Sequence, residues 1–332
     1  MRKFLRYWFA AVTMLLAAWL PCGQTLASGS PSAAEKIVIS GASGQLGDLT
    51  VKALLARGVS PDKLILVSRT PEKLAGYAQL GASVRFGDFD KPESLPAAFS
   101  GGTKMLLISI SLGAKPRSEL HKAAIEAAVH AGVRHIIYTS FASIEGDSPV
   151  ALDHRLTEQY LKDSGVQWTI LRMGAYADRL VDDAARMVAS GRAYAPDDET
   201  PIAYVTRADC AAAAAGALIT SGQEGKIYYV TGRELITTRK LARLVTAVTG
   251  KHIEVVPRAA GAQSESPALP TGAAPNGAPP PGSLAPPMAD HGRGLRIRTR
   301  AVQELSGHPA TSIRALLEAN KDALLAAADQ RR

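Results

Sequence analysis

Cysteine is almost absent from this chain, which holds only Cys22 and Cys210 among its 332 residues. If the segment that contains Cys22 is removed, as argued below, no intramolecular disulfide can form. Cys210 stands before the apolar run 211–219 and is predicted to be a small buried residue. The seven histidines are scattered without the spacing of metal ligands, so we expect no metal site.

Aromatic residues are also scarce, at 5%, and no block of Lys and Arg is interleaved with them. This pattern argues against a nucleic-acid-binding surface, although the formal net charge is +8. A mildly basic balance suits a protein that binds an anionic dinucleotide. The hydrophobic fraction of 46% is ordinary for a globular chain.

No acidic residue occurs among residues 1–30, and the order of residue types there is that of a secretion signal. Residues 1–6 are basic, residues 8–20 are apolar, and residues 25–27 offer small side chains for cleavage before Ser28. We therefore expect residues 1–27 to be a signal peptide and the protein to be exported to the periplasm. The apolar run is too short for a comfortable membrane span, so no stable span is expected after cleavage. The alternatives are an uncleaved membrane anchor and a cytoplasmic protein with a misassigned start.

From residue 36 to about residue 232, short aliphatic runs alternate with amphipathic segments of helical length. The strand candidates are residues 37–40, 64–68, 84–86, 105–109, 135–139, 169–172 and 227–230. The helical segments between them include residues 46–57, 71–79, 118–131 and 153–164. Continuous apolar strands separated by helices predict a parallel sheet covered on both faces. The predicted fold class is therefore α/β, a Rossmann-type doubly wound parallel sheet that binds ligands at the C-terminal ends of its strands.

The composition changes sharply in the last third of the chain. A helix is predicted over residues 237–250 and a strand over residues 252–256. Residues 36–258 are expected to form the Rossmann domain and the start of a small C-terminal α/β subdomain. Residues 259–294 are dominated by Ala, Pro, Gly and Ser, which predicts a flexible insert. Residues 295–330 regain helical periodicity and are expected to complete the subdomain on the substrate side.

The turn Gly41-Ala42-Ser43-Gly44-Gln45-Leu46-Gly47 follows an apolar strand and opens an amphipathic helix. Such glycines permit the tight turn, the approach of backbone to a pyrophosphate, and the close packing of the helix on the sheet. The phosphates would meet free N–H groups at the positive end of the helix. A glycine-rich turn without a ligand is the alternative, but the strand and helix around the turn favour dinucleotide binding.

The end of the second strand indicates which dinucleotide is bound. NAD-selective sites place an acidic residue there, whereas this chain has Ser68-Arg69-Thr70, with Lys73 one turn into the next helix. Arg69 can form charge-assisted hydrogen bonds with a 2′-phosphate, unless it is a solvated surface residue. We therefore expect NADP(H) to be preferred over NAD(H).

These segments and several later ones resemble the NmrA-like family of atypical short-chain dehydrogenases/reductases, and within it the bacterial NADPH-dependent quinone oxidoreductases. The later segments are the more specific part of the resemblance: Gly87-Asp88-Phe89, Tyr138-Thr139-Ser140, Arg207-Ala208-Asp209-Cys210-Ala211, Glu224-Gly225-Lys226-Ile227-Tyr228 and Gly307-His308-Pro309-Ala310-Thr311. The resemblance covers nearly all of the chain outside residues 1–27 and the Pro-rich segment.

The resemblance implies roles for residues that follow most of the strands. Around the cofactor it implies Gly41, Ser43, Gly44, Gln45, Leu46 and Gly47 at the pyrophosphate, Arg69 and Lys73 at the 2′-phosphate, Asp88 and Phe89 at the adenine, Ile108, Ser109 and Ser111 at the ribose, and Ser140 at the nicotinamide. It also implies that Phe141, Met173 and Tyr176 line the pocket of a small, quinone-like substrate.

Three features depart from the family pattern, and all of them affect the substrate side. The chain has no Tyr-x-x-x-Lys pair, the general acid of ordinary short-chain dehydrogenases; quinone oxidoreductases also lack it, but Gln159 stands where they have Lys. Met173 and Arg179 replace Asn residues around the implied substrate pocket. The Pro-rich segment falls where the family has helices over the active site.

Several polar residues are candidates for catalysis or for structure. His154 and Glu158 are four apart on one predicted helix face and could form an acid–base pair, although such a pair is more often a surface hydrogen bond. Tyr176 could donate to a substrate carbonyl or simply line the pocket. Asp209 is predicted to cap the Ala-rich helix that follows it, and Arg172 to tie its strand to a loop.

The leading functional hypothesis is an NAD(P)H-dependent oxidoreductase that transfers a hydride to a quinone or a related carbonyl. A quinone needs little from the protein beyond placement against the nicotinamide and exclusion of water. Two alternatives stay open: a non-catalytic, NAD(P)-responsive regulatory protein, and a scaffold that kept the fold but lost access to cofactor after export.

Overall fold

A computed structural model describes residues 35–111, 115–258 and 293–329. The strands in these ranges are β1 (Ile37–Ser40), β2 (Leu64–Ser68), β3 (Ser83–Phe86), β4 (Lys104–Leu107), β5 (His135–Phe141), β6 (Gln167–Met173), β7 (Arg192–Pro196), β8 (Lys226–Val230) and β9 (Glu254–Arg258). The α-helices are α1 (Gln45–Ala56), α2 (Ala75–Gln79), α3 (Leu95–Phe99), α4 (Arg117–His130), α5 (Pro149–Asp163), α6 (Arg179–Ser190), α7 (Arg207–Ile219), α8 (Thr238–Thr249), α9 (Ala301–Ser306), α10 (Ile313–Ala319) and α11 (Lys321–Asp329).

Seven of the strands form one sheet in the order β3-β2-β1-β4-β5-β6-β8, and every pairing in it is parallel. Successive side chains of a strand face opposite layers of helices. In β1, Ile37 and Ile39 pack with residues of α1, α7 and α9, whereas Val38 packs with residues of α3, α4 and α5. Because both faces are covered at the centre of the sheet, β1, β2 and β4 are largely apolar, whereas β3 and β8 at its edges are partly exposed and contain Arg85 and Lys226. The predicted Rossmann-type sheet is confirmed.

Close backbone contacts hold the layer of α1, α7 and α9 together. A Cβ atom on Gly216 of α7 would lie 1.8 Å from the carbonyl oxygen of Leu305 in α9, so only glycine lets these two helices approach. The Arg57 guanidinium, just beyond α1, donates to the carbonyl oxygens of Leu305 and Ser306 at 3.4 and 2.7 Å. The short helix α9 is thereby fixed against both α1 and α7.

A second core forms the C-terminal subdomain. Its apolar side chains come mainly from α6, α8, α10 and α11, and β7 pairs in parallel with β9 beside them. The described chain enters this subdomain three times, because α7 and β8 return to the main sheet between β7 and α8, and α9 packs with α1 and α7 before α10. The predicted C-terminal subdomain is thus interleaved with the sheet from Ala177 onward.

Several predicted elements have different bounds in the structure. The helix predicted over residues 71–79 is divided into a 3-10 turn, Pro71–Leu74, and α2. The strand predicted over residues 105–109 ends at Leu107, because β1 ends at Ser40 and no longer pairs with it beyond Leu106. The strand β9 begins two residues later than predicted. The short elements α3 and β7 have five residues each, too few to show a hydrophobic period.

Asp209 does not cap α7, contrary to the prediction. The N-cap is Thr206, whose hydroxyl accepts from the Asp209 N–H at 3.0 Å. The Asp209 carboxylate accepts from the Thr311 N–H at 2.9 Å and so ties α7 to the segment before α10. Cys210 is fully buried, as predicted.

The predicted signal peptide, residues 1–27, and nearly all of the predicted insert, residues 259–294, lie outside the described residues. Within the described ranges, no helix is both long and apolar enough to cross a membrane. The same residues contain no group of three His, Cys, Asp or Glu side chains arranged to hold a metal ion.

Candidate active site

The C-terminal ends of the parallel strands meet at one edge of the sheet, where the strand order reverses between β1 and β4. The helix after β1 packs on one face of the sheet and the helix after β4 on the other. A crevice therefore opens between these two loops, which is where doubly wound folds bind their ligands. Apart from His154, the predicted site residues lie at the last positions of β5 and β6, in the loops at this edge, or within the first turns that follow those loops.

The loop after β1 is shaped by its three glycines. Gly41 has a φ of +63°, a left-handed conformation that favours glycine. A Cβ on Gly47 would lie 2.3 Å from the Gly41 carbonyl oxygen and 2.8 Å from Cα of Ala42, so α1 begins closer to the turn than any other residue permits. Gly44, the N-cap of α1, has an extended backbone, and its Cβ would lie 3.2 Å from the same oxygen. The turn therefore has the geometry that a dinucleotide motif requires.

The N-terminus of α1 carries no side-chain cap. The N–H groups of Gln45, Leu46 and Gly47 have no carbonyl partner within the helix, because a helix leaves its first amides unsatisfied. They lie at the positive end of the helix, where an anion is stabilised. Backbone atoms alone can therefore hold a pyrophosphate at this position.

Hydroxyl groups tie the loop after β2 to the glycine turn. The Oγ atoms of Ser43 and Ser68 are 2.6 Å apart, and Ser68 Oγ also accepts from the Thr70 N–H at 2.9 Å. Arg69 and Lys73 follow this junction with exposed side chains. Two exposed cations beside the turn fit a 2′-phosphate, whereas an acidic residue there would repel it.

In the loop after β3, the two side chains predicted to lie by the adenine, those of Asp88 and Phe89, are engaged elsewhere in the protein. The Asp88 carboxylate is engaged by its own loop, since its Oδ1 accepts from the Asp90 N–H at 3.1 Å. The Phe89 ring is only 8% exposed and packs in the core, with its centroid 6.2 Å from that of His121. The Phe89 ring therefore faces the interior, which leaves its main chain for the predicted contact with an adenine.

The segment after β4, residues 108–111, borders the crevice on the side opposite the glycine turn. Three consecutive N–H groups of this segment donate to side chains rather than to backbone. These bonds run from Ile108 to Ser40 Oγ at 2.9 Å, from Ser109 to Thr139 Oγ1 at 2.9 Å, and from Ile110 to His121 Nε2 at 3.2 Å. Ser111 follows with an exposed side chain.

Ser140, at the end of β5, is bound to a buried ion pair. Its hydroxyl donates to Glu158 Oε1 at 2.7 Å. The Glu158 carboxylate, 3% exposed, accepts from Arg172 Nε at 2.9 Å and from Nη2 at 2.7 Å, a bidentate pair. Arg172 Nη1 in turn donates to the Tyr229 hydroxyl at 2.7 Å. Because the Ser140 proton is committed to Glu158, its oxygen can only accept from a ligand. Arg172 has a structural role, as predicted, but it ties β6 to α5 and β8 rather than to a loop.

His154 does not pair with Glu158, so the predicted acid–base pair is not formed. His154 is buried, and its Nε2 accepts from Arg117 Nη1 at 2.8 Å, because a guanidinium can only donate. Its Nδ1 therefore carries the proton and donates to the Tyr138 hydroxyl at 2.7 Å. Burial, and then the charge of Arg117, lower the pKa of His154 to about 3. With both nitrogens engaged, this histidine has none free for proton transfer to a substrate.

The three residues implied on the substrate side lie at the ends of β5 and β6 or just after them: Phe141, Met173 and Tyr176. Phe141 and Tyr176 are half-buried, whereas Met173 is only 4% exposed and packs in the core, contrary to its implied place in the pocket lining. The Tyr176 hydroxyl lies 4.0 Å from the Met173 sulfur, and the Arg207 guanidinium stands 4.6 Å from the centre of the Tyr176 ring. The Phe141 ring is 5.9 Å from that of His154. Burial raises the pKa of the Tyr176 phenol. The phenol therefore stays protonated at neutral pH and can donate a hydrogen bond.

Comparison with known proteins identifies the group to which this site belongs. Residues 41–220 match the family model described as NAD(P)H-binding. Quinone oxidoreductase 2 of Escherichia coli (strain K12) is 33% identical over 287 residues, which are 83% of this chain and 96% of that protein. The chain belongs to the NmrA-like, NAD(P)H-binding family of atypical short-chain dehydrogenases/reductases.

Solved structures of two reductases share the fold of this NmrA-like chain. The NADPH-dependent quinone oxidoreductase of E. coli, complexed with NADPH, is 30% identical with a TM-score of 0.71, over 86% of this chain and 99% of that one. The triphenylmethane reductase of Citrobacter sp., complexed with NADP(H), is 27% identical with a TM-score of 0.69, over 89% of this chain and 99% of that one.

The residues of this NmrA-like chain fit a nicotinamide dinucleotide. The Gly47 position has no room for a side chain, the first amides of α1 are uncapped, and Arg69 and Lys73 stand exposed beside them. Together these features supply backbone donors for a pyrophosphate and cations for a further phosphate.

Sequence reasoning missed the side chains that support the site from below. These residues are Ser40, Arg117, His121, Tyr138 and Thr139. One signal was available for Ser40, because a hydroxyl at the end of a short, otherwise apolar strand calls for a buried partner. The spacing of Arg117 and His121 also places them on one helix face, but their partners come from residues distant in sequence.

Proposed function

We propose that this NmrA-like chain is an NADPH-dependent reductase that transfers a hydride to a quinone or a related carbonyl compound. One observation carries the proposal: an uncapped glycine turn stands beside the exposed Arg69 and Lys73 at the switch point of the sheet. The relatives support the acceptor class, since one is named a quinone oxidoreductase and another a reductase of triphenylmethane dyes. Both kinds of acceptor are conjugated, electron-poor molecules that can take up a hydride.

In this proposal, the backbone of α1 holds the pyrophosphate and the Arg69 guanidinium binds the 2′-phosphate. Ser140 faces the nicotinamide end as a hydrogen-bond acceptor, because Glu158 holds its proton. The half-buried Phe141 forms the apolar surface against which an acceptor packs, whereas Met173 is buried in the core and does not reach it. The chain thus contributes placement and exclusion of water, which are the main requirements of hydride transfer.

The bound reduced dinucleotide supplies the hydride, and the chain must then accommodate a developing oxyanion on the acceptor. The Tyr176 phenol is the donor nearest to this role, because burial keeps it protonated. Ser140 and His154 cannot deliver a proton, since their hydrogens are held by Glu158 and Tyr138. We therefore propose that water protonates the product.

The cofactor preference is tested by calorimetry on the full chain with NADPH and NADH. Arg69→Ala is expected to weaken NADPH binding about tenfold or more, because it removes charge-assisted hydrogen bonds to a phosphate, and to leave NADH binding unchanged. Arg134→Ala is the matched control, because this exposed arginine precedes β5 at the opposite edge of the sheet. Equal affinity of the unmodified chain for NADPH and NADH would show that Arg69 does not bind a 2′-phosphate.

The activity is tested by steady-state oxidation of NADPH with a panel of benzoquinones, naphthoquinones and triphenylmethane dyes. Turnover of at least one class, absent without the protein, is the expected result. Tight NADPH binding without turnover of any acceptor would overturn the enzyme proposal and favour an NAD(P)-responsive regulatory protein.

We also propose that residues 1–27 direct export and are cleaved before Ser28. The support is the basic, apolar and small-residue order of that segment. N-terminal sequencing of the protein from fractionated native cells tests this proposal, with a periplasmic product that begins at Ser28 as the expected result. A cytoplasmic product that retains residues 1–27 would contradict it.

A further inference from the structure

Residues 108–110 lie where β4 has lost its neighbour. β1 ends at Ser40 and its chain turns into the glycine loop, so the backbone beyond Leu107 has no strand to pair with on that side. Partly buried N–H groups must still find acceptors. Each of the three finds a side chain, from β1, β5 and α4 in turn. The position of this segment therefore depends on three side chains.

His121 accepts from Ile110, the last of the three N–H groups along the chain, and is fully buried. The Ile110 N–H can only donate, so Nε2 of His121 must carry the lone pair. The proton then resides on Nδ1, which lies 3.1 Å from Thr157 Oγ1, and that hydroxyl donates to the Asp153 carbonyl oxygen at 2.8 Å. The ring is thus fixed in one orientation and one tautomer by partners on both sides.

The contacts of His121 join α4 to α5 and to β5. Its ring packs edge-on against that of Tyr138, with centroids 5.5 Å apart, and Tyr138 is itself bound to His154. Burial, and then the charges of His154 and Arg117, hold the pKa of His121 well below its usual value. The imidazole therefore remains a neutral acceptor for the Ile110 amide at neutral pH.

We propose that His121 is a positioning residue of the cofactor site, which holds residues 108–111 against the nicotinamide half of the bound dinucleotide. The inference rests on the proposed function and deepens it. His121 does not touch the cofactor; it acts through the Ile110 amide and the backbone that follows it. Without this acceptor, the Ile110 N–H would turn toward water, and binding of the dinucleotide would have to pull the segment back.

The test compares two ligands on two variants of the full chain by calorimetry. NADPH reaches both halves of the site, whereas adenosine 2′,5′-bisphosphate reaches only the adenine half. His121→Leu removes the acceptor and introduces an apolar side chain of similar bulk. His121→Gln keeps an oxygen near the position of Nε2. We expect His121→Leu to weaken NADPH about tenfold, because a buried donor loses its partner, and to leave the bisphosphate unchanged. His121→Gln should restore NADPH affinity.

Two results for His121→Leu would overturn the inference. Unchanged NADPH affinity in His121→Leu would make His121 an ordinary core residue. Equal weakening of both ligands would make its role a general one in stability. If His121→Leu does not fold, His121→Asn replaces it, since its amide reaches only the Nδ1 position and should weaken NADPH while His121→Gln does not. Failure of the unmodified chain to bind NADPH would sink the proposed function instead, so the two failures are distinguishable.

Discussion

The two sides of the crevice are built by different means. On the cofactor side, backbone forms the site: three glycines set the turn, and the uncapped amides of α1 face the phosphates. On the substrate side, which includes the nicotinamide end of the cofactor site, buried polar side chains form a support beneath the loops. One group joins Ser140, Glu158, Arg172 and Tyr229, and another joins Arg117, His154 and Tyr138.

This difference separates two kinds of sensitivity. A backbone site fails through sterics, because there is no space into which a new side chain can move. A side-chain support fails through electrostatics, because removing one partner leaves another charge or donor buried without a match. Substitutions on the two sides should therefore have different signatures in binding and in stability.

The largest effect is expected from breaking the backbone side with Gly47→Ala. The new Cβ would lie 2.3 Å from the Gly41 carbonyl oxygen, so the turn must open. We expect NADPH binding to be lost and the free energy of unfolding to fall by about 3 kcal/mol. Gly76→Ala in α2 is the control, because nothing lies within 4 Å of its Cβ; it should leave stability equal or slightly higher. Calorimetry and urea unfolding measure both, and NADPH binding that survives Gly47→Ala would contradict the steric account.

The next effect is expected from Glu158→Gln on the substrate side. Arg172 would lose its carboxylate partner while its side chain stays 14% exposed. Breaking such a buried pair destabilises a fold by about 3 kcal/mol. Glu126→Gln is the matched control, because the Lys122–Glu126 pair is more than half exposed and should change stability by less than about 1 kcal/mol. Urea unfolding measures both variants. A loss for Glu158→Gln no larger than that of the control would show that the buried pair adds nothing.

A smaller effect is expected from pH, again through the substrate side. The pKa of His154 is lowered to about 3 in the fold, whereas an unfolded histidine has a pKa of about 6.5. The unfolded chain therefore takes up a proton first, and stability falls as pH drops from about 6.5 toward about 3. The slope from this group approaches about 1.4 kcal/mol per pH unit.

Urea unfolding at several pH values between 5 and 7 measures this slope. His154→Phe should reduce it, whereas His130→Asn should leave it unchanged, because His130 is exposed to solvent in the folded chain. A slope that is the same in His154→Phe as in the unmodified chain would mean that this histidine is not held neutral by the fold.

The smallest effect is expected from Tyr176→Phe, which removes one hydroxyl from the substrate side. Loss of a single hydrogen bond to the developing oxyanion costs about 1 kcal/mol, so kcat with a quinone should fall about fivefold while KM stays nearly constant. Tyr194→Phe is the control, since this tyrosine is 50% exposed in the subdomain sheet. A change in KM alone would make Tyr176 a wall of the pocket rather than a donor.

The same comparison explains how much could be predicted from the sequence. β1 and β2 begin and end at the predicted residues, because apolar runs bounded by Gly and polar residues have one interpretation in an alternating chain. The glycine turn is local, so its spacing shows its geometry. α6 was also within reach, since its buried residues Leu180, Ala184, Met187 and Val188 follow a helical period.

The supports of the substrate side were beyond the reach of local patterns. Glu158 and Arg172 are fourteen residues apart and meet only because α5 packs over β5 and β6. The spacing of His154 and Glu158 suggests a pair on one helix face, but each finds a stronger partner on another element. Only the packed fold decides such choices, because competing partners are not neighbours in the sequence.

The position of α9 sets a limit on the order in which the chain can fold during synthesis. Arg57 and Gly216 complete their contacts only with Leu305 and Ser306. The helix α1, which starts within the dinucleotide turn, therefore cannot reach its final packing until about nine-tenths of the chain has left the ribosome. Until then, the packing of α1 is incomplete. Export of residues 28–332 through a translocation channel that accepts only unfolded polypeptides would require such a delay in folding.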